Sequence, residues 1–430
     1  MTVERAVTDC EIAWIGSIPS KWHVVRLAVC SHIAAGYPFD AEKFNPTKGF
    51  PLVRIRDLQG GPIQTFFDGQ WVKKAAIFDG DLLVGMDGDF VARIWQGGPA
   101  LLNQRLARLR NKHGFDLRFI AYSTQPAIDE INAETNVTTV KHLSIGQIKK
   151  AVIPRPLFDD QVRIAGWLDI QTHRIDKRRE LLSKKRELLR DLKKSIIEEA
   201  TFRGIAAGVE FRHSGIGWLG KVPAHWATMR LGSLFREAAD AGIEGLPMLS
   251  VSIHSGITDK ELDDEEMERK VSRSEDRSLY KRVKPGDLVY NQMRAWQGAF
   301  GAAKIEGLVS PAYVVARPGK VVVPRFVEYL LRAPAAMEEI RRRSRGITDF
   351  RLRLYWDEFK NIRIALPTKR EQEKIAAFLD RKLSQIDRQI ALIDQLDELL
   401  QQQRKAIIHE AVTGKIDLSN YEPPAPAMAA

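Results

Sequence analysis

Four aspartates, Asp79, Asp81, Asp87 and Asp89, fall close together in the sequence, and clustered carboxylates are what two-metal cleavage of a phosphodiester requires. The same residues have a second reading. Gly80-Asp81 recurs as Gly286-Asp287 in a similar phrase, where Asp87 and Asp89 have no acidic counterpart. Turn formation, or a carboxylate accepting from cytosine N4, accounts for them without a metal. Basic and amide side chains form a denser signal. Arg93, Gln96, Asn103, Gln104 and Arg105 flank a Gly97-Gly98-Pro99 turn. Farther along, Asn291, Gln292, Arg294 and Gln297 occupy the equivalent stretch, and Arg341, Arg342, Arg343 and Arg345 precede Gly346. Arg forks match guanine, Asn and Gln match adenine, and Lys or Arg hold phosphates. The two stretches are therefore candidate DNA contacts, whereas Trp95 and Trp296, nearly aligned, read as core or turn packing.

Other chemistries lack their residues. No GxxxxGK[ST] phosphate loop is present, and Ser310-Pro311-Ala312-Tyr313 has the wrong first residues for an NPPY-like methyltransferase clamp. The two cysteines, Cys10 and Cys30, show no CxxC spacing, which disfavours zinc and disulfide scaffolds and fits a reducing compartment. No apolar run approaches the ~20 residues of a membrane span, and the polar start lacks the apolar core of a signal peptide. A cytoplasmic location without membrane attachment is expected. The net charge of +11 favours a polyanionic partner, through counterion release and long-range steering.

The elements that position these groups are duplicated. WIGSIPSKW (residues 14–22) returns as WLGKVPAHW (218–226), GDLLVGMDGDF (80–90) as GDLVYNQMRAW (286–296), and IPRPLFDDQVRIAGWLD (153–169) as IALPTKREQEKIAAFLD (364–380). The offset grows slowly along the chain, as insertions in surface loops produce between two copies of one unit. Each copy begins with short strand-like runs punctuated by Gly and Pro, and a helical patch, which predicts a compact α+β domain. A long helix follows, opening after Pro156 in one copy and Pro367 in the other.

Both helices carry heptads. Leu168, Ile175, Leu182, Leu189 and Ile196 recur every seventh residue, joined by Ile164, Leu192 and Ala200. Leu379, Ile386, Ile393, Leu400 and Ile407 do the same, joined by Ile375, Leu396 and Ala411. Sustained heptads predict coiled-coil packing. Because the second domain lies between the helices, its compactness sends the second helix back antiparallel to the first. The expected fold is α+β: two similar globular domains separated by two long antiparallel coiled-coil helices, as a pseudo-twofold tandem repeat. Each tryptophan phrase then bridges a helix C-terminus to the start of a domain. Between residues 177 and 194 the first helix holds nine Lys/Arg against three Asp/Glu; a solvated face explains this, as does proximity to DNA phosphates or an acidic partner. The acidic run DKELDDEEME (259–268) would repel DNA and is expected to face away from it.

Over nearly its whole length the chain resembles the specificity subunits of type I restriction-modification enzymes. The resemblance rests on the tryptophan phrases, on helix starts of PxPxxxQ type (Pro154, Pro156, Gln161; Pro367, Gln372), on the paired helices, and on GMDGDFVARIWQGGPALLNQR, NQMRAWQGAFG and VSPAY. Ala365 replaces the first proline of the second helix start. The resemblance implies target recognition domains at 1–157 and 204–368, helices at 158–203 and 369–414, and a disordered tail at 415–430. It implies a subunit with no active site and no cofactor of its own. Each domain would read one half of a split, asymmetric double-stranded DNA site. The helices would set the unread spacer and dock two modification subunits, which bring S-adenosylmethionine and methylate adenine. Restriction subunits, using ATP and Mg, can join such complexes. Two other classes remain open from the residues alone: a stand-alone DNA-modifying enzyme, and a coiled-coil scaffold.

Overall fold

The computed structural model describes residues 6–88, 90–134, 141–253, 256–258, 279–346 and 351–422. Asp89, the acidic run 259–268 and residues 423–430 lie outside the described residues. The chain forms two compact units, Met1–Leu181 with Gln395–Ala430, and Leu182–Asp394.

In unit one, β1 (Ser31–Ala35), β2 (Leu82–Gly85), β3 (Ala92–Ile94) and β4 (Leu106–Asn111) form an antiparallel sheet in the order β3-β2-β4-β1. Strand β2, Leu-Leu-Val-Gly, is buried throughout because both faces of the sheet are covered. Leu82 and Val84 join a core with Ile120 and Ile128 of helix α1 (Leu117–Glu134), while Leu83 packs on the other face with Val53, Leu58 and Ile77. A two-stranded neck, His23–Arg26 against Val152–Arg155, closes the body. The chain then enters helix α2 (Phe158–Arg203).

Unit two repeats the plan. Strands β5 (Phe235–Ala238), β6 (Leu288–Asn291), β7 (Phe300–Ala302) and β8 (Tyr313–Pro318) form a sheet in the order β5-β8-β6-β7. In β6, Leu288 and Tyr290 pack with Phe326 and Leu330 of helix α3 (Pro324–Leu331), and Val289 turns to the opposite core with Leu249 and Val309. Helix α4 (Pro334–Arg343) follows. The neck is Ala227–Arg230 against Arg363–Leu366, leading into helix α5 (Lys369–Val412).

Three braces occur once in each unit. The glutamine of each helix start is buried: Gln161 donates to Pro156 O and accepts from Asp116 N–H, just ahead of α1, while Gln372 donates to Pro367 O and accepts from Val323 N–H, just ahead of α3. One amide thus satisfies both a turn carbonyl and a helix-terminal donor, which explains the residue at that position of the motif. About two turns farther along each long helix, Tyr122 and Arg118 bind Asp169, as Tyr329 and Arg325 bind Asp380. Burial pushes both phenols well above the usual tyrosine range, so both remain donors. Inside the sheets, Arg110 grips Asp81 and Arg317 grips Asp287, each with two bonds.

The tryptophan phrases sit at the joints expected of them. In unit one Ile15, Ile18 and Trp22 pack with Ile408, Ala411 and Val412 at the end of α5, and His409 Nε2 meets Trp14 O at 2.6 Å. In unit two Trp218 stands edge-on to Phe202 at the end of α2, and Trp226 Nε1 donates to Glu371 at 3.1 Å. From 413 to 422 the chain stays packed, where the expected tail begins at 415: Leu418 is buried and Arg163 donates to Ser419 O. A leucine and a tyrosine, Leu418 and Tyr421, supply the apolar anchor that a polar tail would lack.

The helices pair antiparallel within each unit. In unit one Asp176 pairs with Arg404 and Arg179 with Asp397; in unit two Arg186 pairs with Asp394 and Lys193 with Asp387. Numbers rise along one helix as they fall along the other. The excess basic charge of α2 is therefore partly matched by aspartates of α5. Of the heptad residues, Leu168, Ile175, Leu379, Ile386, Ile393 and Leu400 are buried, while Leu182, Leu189, Ile196 and Ile407 are half-buried. Ile164, Ala200, Ile375 and Ala411 bury as expected, but Leu192 and Leu396 are 46% and 45% exposed. A pair of helices covers only one narrow seam, and residues three positions off the seam lean out of it.

Candidate nucleic-acid interface

Register decides which candidates meet. In unit one β2 pairs through Val84 with Ala92 and Ala107, and through Leu82 with Ile94 and Leu109. The turn between β2 and β3, with Asp87, therefore shares one sheet end with Asn103, Gln104 and Arg105, the turn that leads into β4. Arg105 pairs with Asp87 at 3.3 Å, and His142 Nδ1 approaches Asp87 Oδ1 at 2.6 Å. Gln104 and Arg105 are exposed and Asn103 is half-buried. Tyr37 bridges to Asn103, with the Lys74 ammonium 4.4 Å from its ring centre.

Arg93 and Gln96 are not at this end. Beyond β3 the chain reaches the opposite end of the sheet, where Trp95 Nε1 donates to Gly98 O and Gly98 N–H donates to Asp79. Gln96 is exposed there, and Arg93 spends one nitrogen on Leu58 O. A four-residue strand rises about 13 Å, enough to part residues adjacent in sequence. The aspartates part in the same way. Asp79 and Asp81 serve the far turn and Arg110, and Asp87 serves the near end; among the described residues no three His, Cys, Asp or Glu side chains gather as a metal site.

In unit two the corresponding end carries the turn between β6 and β7. Leu288 pairs with Ala302 and Ala316, so Asn291 and the residues after it match the turn around Asp87, not the stretch from Arg93 to Arg105. Trp95 and Trp296 consequently occupy different ends. Asn291 is buried and its Oδ1 accepts from Met293 N–H, so it shapes the turn. Gln292, half-buried, accepts from Leu354 N–H through its carbonyl, as Met86 accepts from Leu143. Arg294 caps the single turn Ala295–Gln297, leaving Gln297 exposed. The Arg341 guanidinium lies 5.9 Å from the Trp296 ring centre, while Arg342 and Arg343 pair with Glu338 and Glu339 beside them on α4. Arg345 pairs with Glu358 and its backbone bridges to Arg353.

The sequence reading missed Arg351 and Arg353 here, and Tyr37, Lys74 and His142 in unit one. A signal existed. Arg351 and Arg353 alternate with buried Leu352 and Leu354, the period of a strand with one wet face, and the Leu143/Leu354 match makes His142 the counterpart of Arg353 in the repeat. Cys30 is buried among apolar side chains, which pushes its thiol up to about 11.

Two repeated α+β bodies, each presenting a polar sheet end and each braced onto a helix pair, make up a tandem-repeat architecture. Residues 19–185 match the model of the type I restriction modification DNA specificity domain. Over 425 residues the chain is 28% identical to the type I restriction enzyme EcoBI specificity subunit of Escherichia coli, covering 92% of this chain and 88% of the relative. It is 23% identical over 422 residues to the MjaVIII specificity subunit of Methanocaldococcus jannaschii, covering 94% and 95%. A chain from a solved assembly of the type I restriction-modification system superposes with a TM-score of 0.65 at 18% identity, covering 93% of this chain and 99% of that one. Over nearly its whole length the chain is thus similar to specificity subunits of type I restriction-modification systems, and its first half matches their DNA specificity domain. Among the described residues no helix is long and apolar enough to cross a membrane.

Proposed function

We propose that each unit reads one half of a split double-stranded DNA site through its polar sheet end. The observation that carries this reading is one scaffold with two sets of side chains: Asn103, Gln104 and Arg105 at the end in unit one, and Gln297, Arg341 and Arg345 at the matching end in unit two. Corresponding sheet ends that carry different hydrogen-bonding groups are what reading two unlike half-sites requires. Arg342, paired along its own helix, fits a phosphate contact. Arg93 and Gln96 drop from the interface under this reading, and Asn291, Gln292 and Arg294 support the turn.

The chain supplies recognition and works in the cytoplasm without a cofactor of its own. Two modification subunits bring S-adenosylmethionine, and restriction subunits, where present, bring ATP and Mg. Methylome sequencing of cells carrying this chain and its modification partner is expected to find a split motif methylated on adenine. An uninterrupted motif, or none with an active partner, would overturn the reading.

The helix pair is the spacer ruler and the dock. Insertion of four residues after Lys185, with four after Asp394, lengthens both helices by ~6 Å at 1.5 Å per residue, against 3.4 Å per base pair. The spacer is expected to grow by about one or two base pairs, read from the methylome; an unchanged spacer rejects the ruler. The insertions avoid the end of α2, where Ala200 and Thr201 are buried. Docking falls to leucines the pair leaves uncovered, Leu181, Leu396 and Leu399 in unit one and Leu188, Leu192 and Leu392 in unit two. Leu188 and Leu392 are 70% and 64% exposed, so Leu188→Asp with Leu392→Asp is expected to leave the melting temperature almost unchanged. Binding of purified modification subunit should weaken by roughly 30-fold or more, the loss typical of hot-spot residues. Equal binding by the variant and the original chain would remove these leucines from the dock.

A further inference from the structure

At the sheet end of unit two lies an open groove of about 820 Å³, whose walls include Arg345, Arg351, Arg353, Tyr355, Asp357 and Glu358. Between the groove residues Arg353 and Tyr355, Leu354 N–H donates to Gln292 O in the turn between β6 and β7. Three guanidinium groups alone would suit a phosphate. This groove also contains two carboxylates, and Glu358 holds Arg345 by a direct ion pair. Carboxylates repel phosphate, so the mixture favours a ligand that presents acceptors and a donor side by side. A G·C pair does this in the major groove: guanine offers O6 and N7 as acceptors, and its cytosine offers the N4 donor. The Glu358 contact also orients the Arg345 fork before DNA arrives, which lowers the entropy lost on binding. Among the described residues, the matching end of unit one carries a single arginine–carboxylate pair, Arg105 with Asp87, beside Asn103 and Gln104, which match adenine.

We propose that this groove reads a G·C pair, with the arginine forks on guanine and a groove carboxylate on cytosine N4, so that the half-site of unit two contains an obligatory guanine. The inference rests on the reading that this end contacts DNA, and it adds the base class. The measurement is binding of the full chain with its modification subunits to DNA libraries randomised across the site, with Arg353→Gln, Arg351→Gln and Arg353→Lys as variants. At least one of the two Gln variants is expected to lose roughly 5- to 150-fold of discrimination at one G·C position in one half-site, with the other half unchanged. Arg353→Lys keeps the charge without the fork; if Arg353 holds the guanine, the Lys variant loses the same preference. Variants that weaken binding equally for every sequence, with a shallower salt dependence, would assign the arginines to phosphate and overturn the proposal. A half-site free of G·C preference would overturn it too. Failure of the unaltered complex to select any sequence would instead reject the underlying DNA reading.

Discussion

Exchange of residues 227–363 for the matching segment of another type I specificity subunit is expected to replace one half of the recognised DNA sequence and leave the other half intact. The boundaries fall in the neck, where Ala227 pairs with Leu366 and Arg230 with Arg363, so the graft enters and leaves through adjacent strands. What the incoming domain must preserve is limited to its fit on the helix: the tyrosine and arginine that bind Asp380, and the backbone N–H that bonds Gln372. Sequence-specific sites are typically bound 10³–10⁷-fold more tightly than others, and with that discrimination shared between two halves, preference for the old half-site should fall by roughly 30- to 3,000-fold. Methylome sequencing reads both halves at once. Change in both halves would contradict independent reading by the two units.

The largest single-residue effect is expected from Arg317→Ala. The Arg317 side chain is 16% exposed and bonds both oxygens of Asp287, itself 2% exposed, at 3.0 Å. It also reaches Asp240 at 2.9 Å. The Asp287 bond above all, and then Asp240, raises the guanidinium's pKa, so the charge is never released. Alanine would leave Asp287 buried with its charge uncompensated, at a cost of ~3–5 kcal/mol. In a unit of this size that lowers the melting temperature by roughly 6–20 °C. Asp287 also accepts from Lys284 N–H, so Arg317→Met with Asp287→Asn, which keeps that acceptor and removes both charges, should recover much of the loss. A change under about 1 kcal/mol in Arg317→Ala would show that water reaches the site and screens it.

Both predictions draw on features that were unequally legible. The neck, the buried glutamines and the tryptophan joints lie in repeated phrases, and repetition across one chain marks them without any fold in hand. Arg110 and Arg317 are different. Their match to Asp81 and Asp287 requires the pairing of β4 with β2 and of β8 with β6, and no local pattern announces a bond between strands that distant in sequence. The exposed leucines escaped for a related reason. Leu192 and Leu396 satisfy a helical apolar period as well as their neighbours do, yet a two-helix seam has no room for them.

The sequence by itself determined the duplication, the antiparallel helix pair and the specificity-subunit resemblance. Periods of seven and recurring phrases are properties of order along the chain, and they survive without coordinates. Only the tertiary structure decided which polar residues stand together. A short strand reverses direction at each turn, so Gln96 and Asn103, near neighbours in sequence, emerge at opposite ends of one sheet, while Asn103 meets Tyr37 and Arg105 meets Asp87. In unit two the same geometry withdrew Asn291 into the turn and brought Arg351 and Arg353 into a groove with Glu358. Hydrogen-bond register between strands fixes those meetings, and register is written in the packing of both faces of the sheet rather than in the loops it positions.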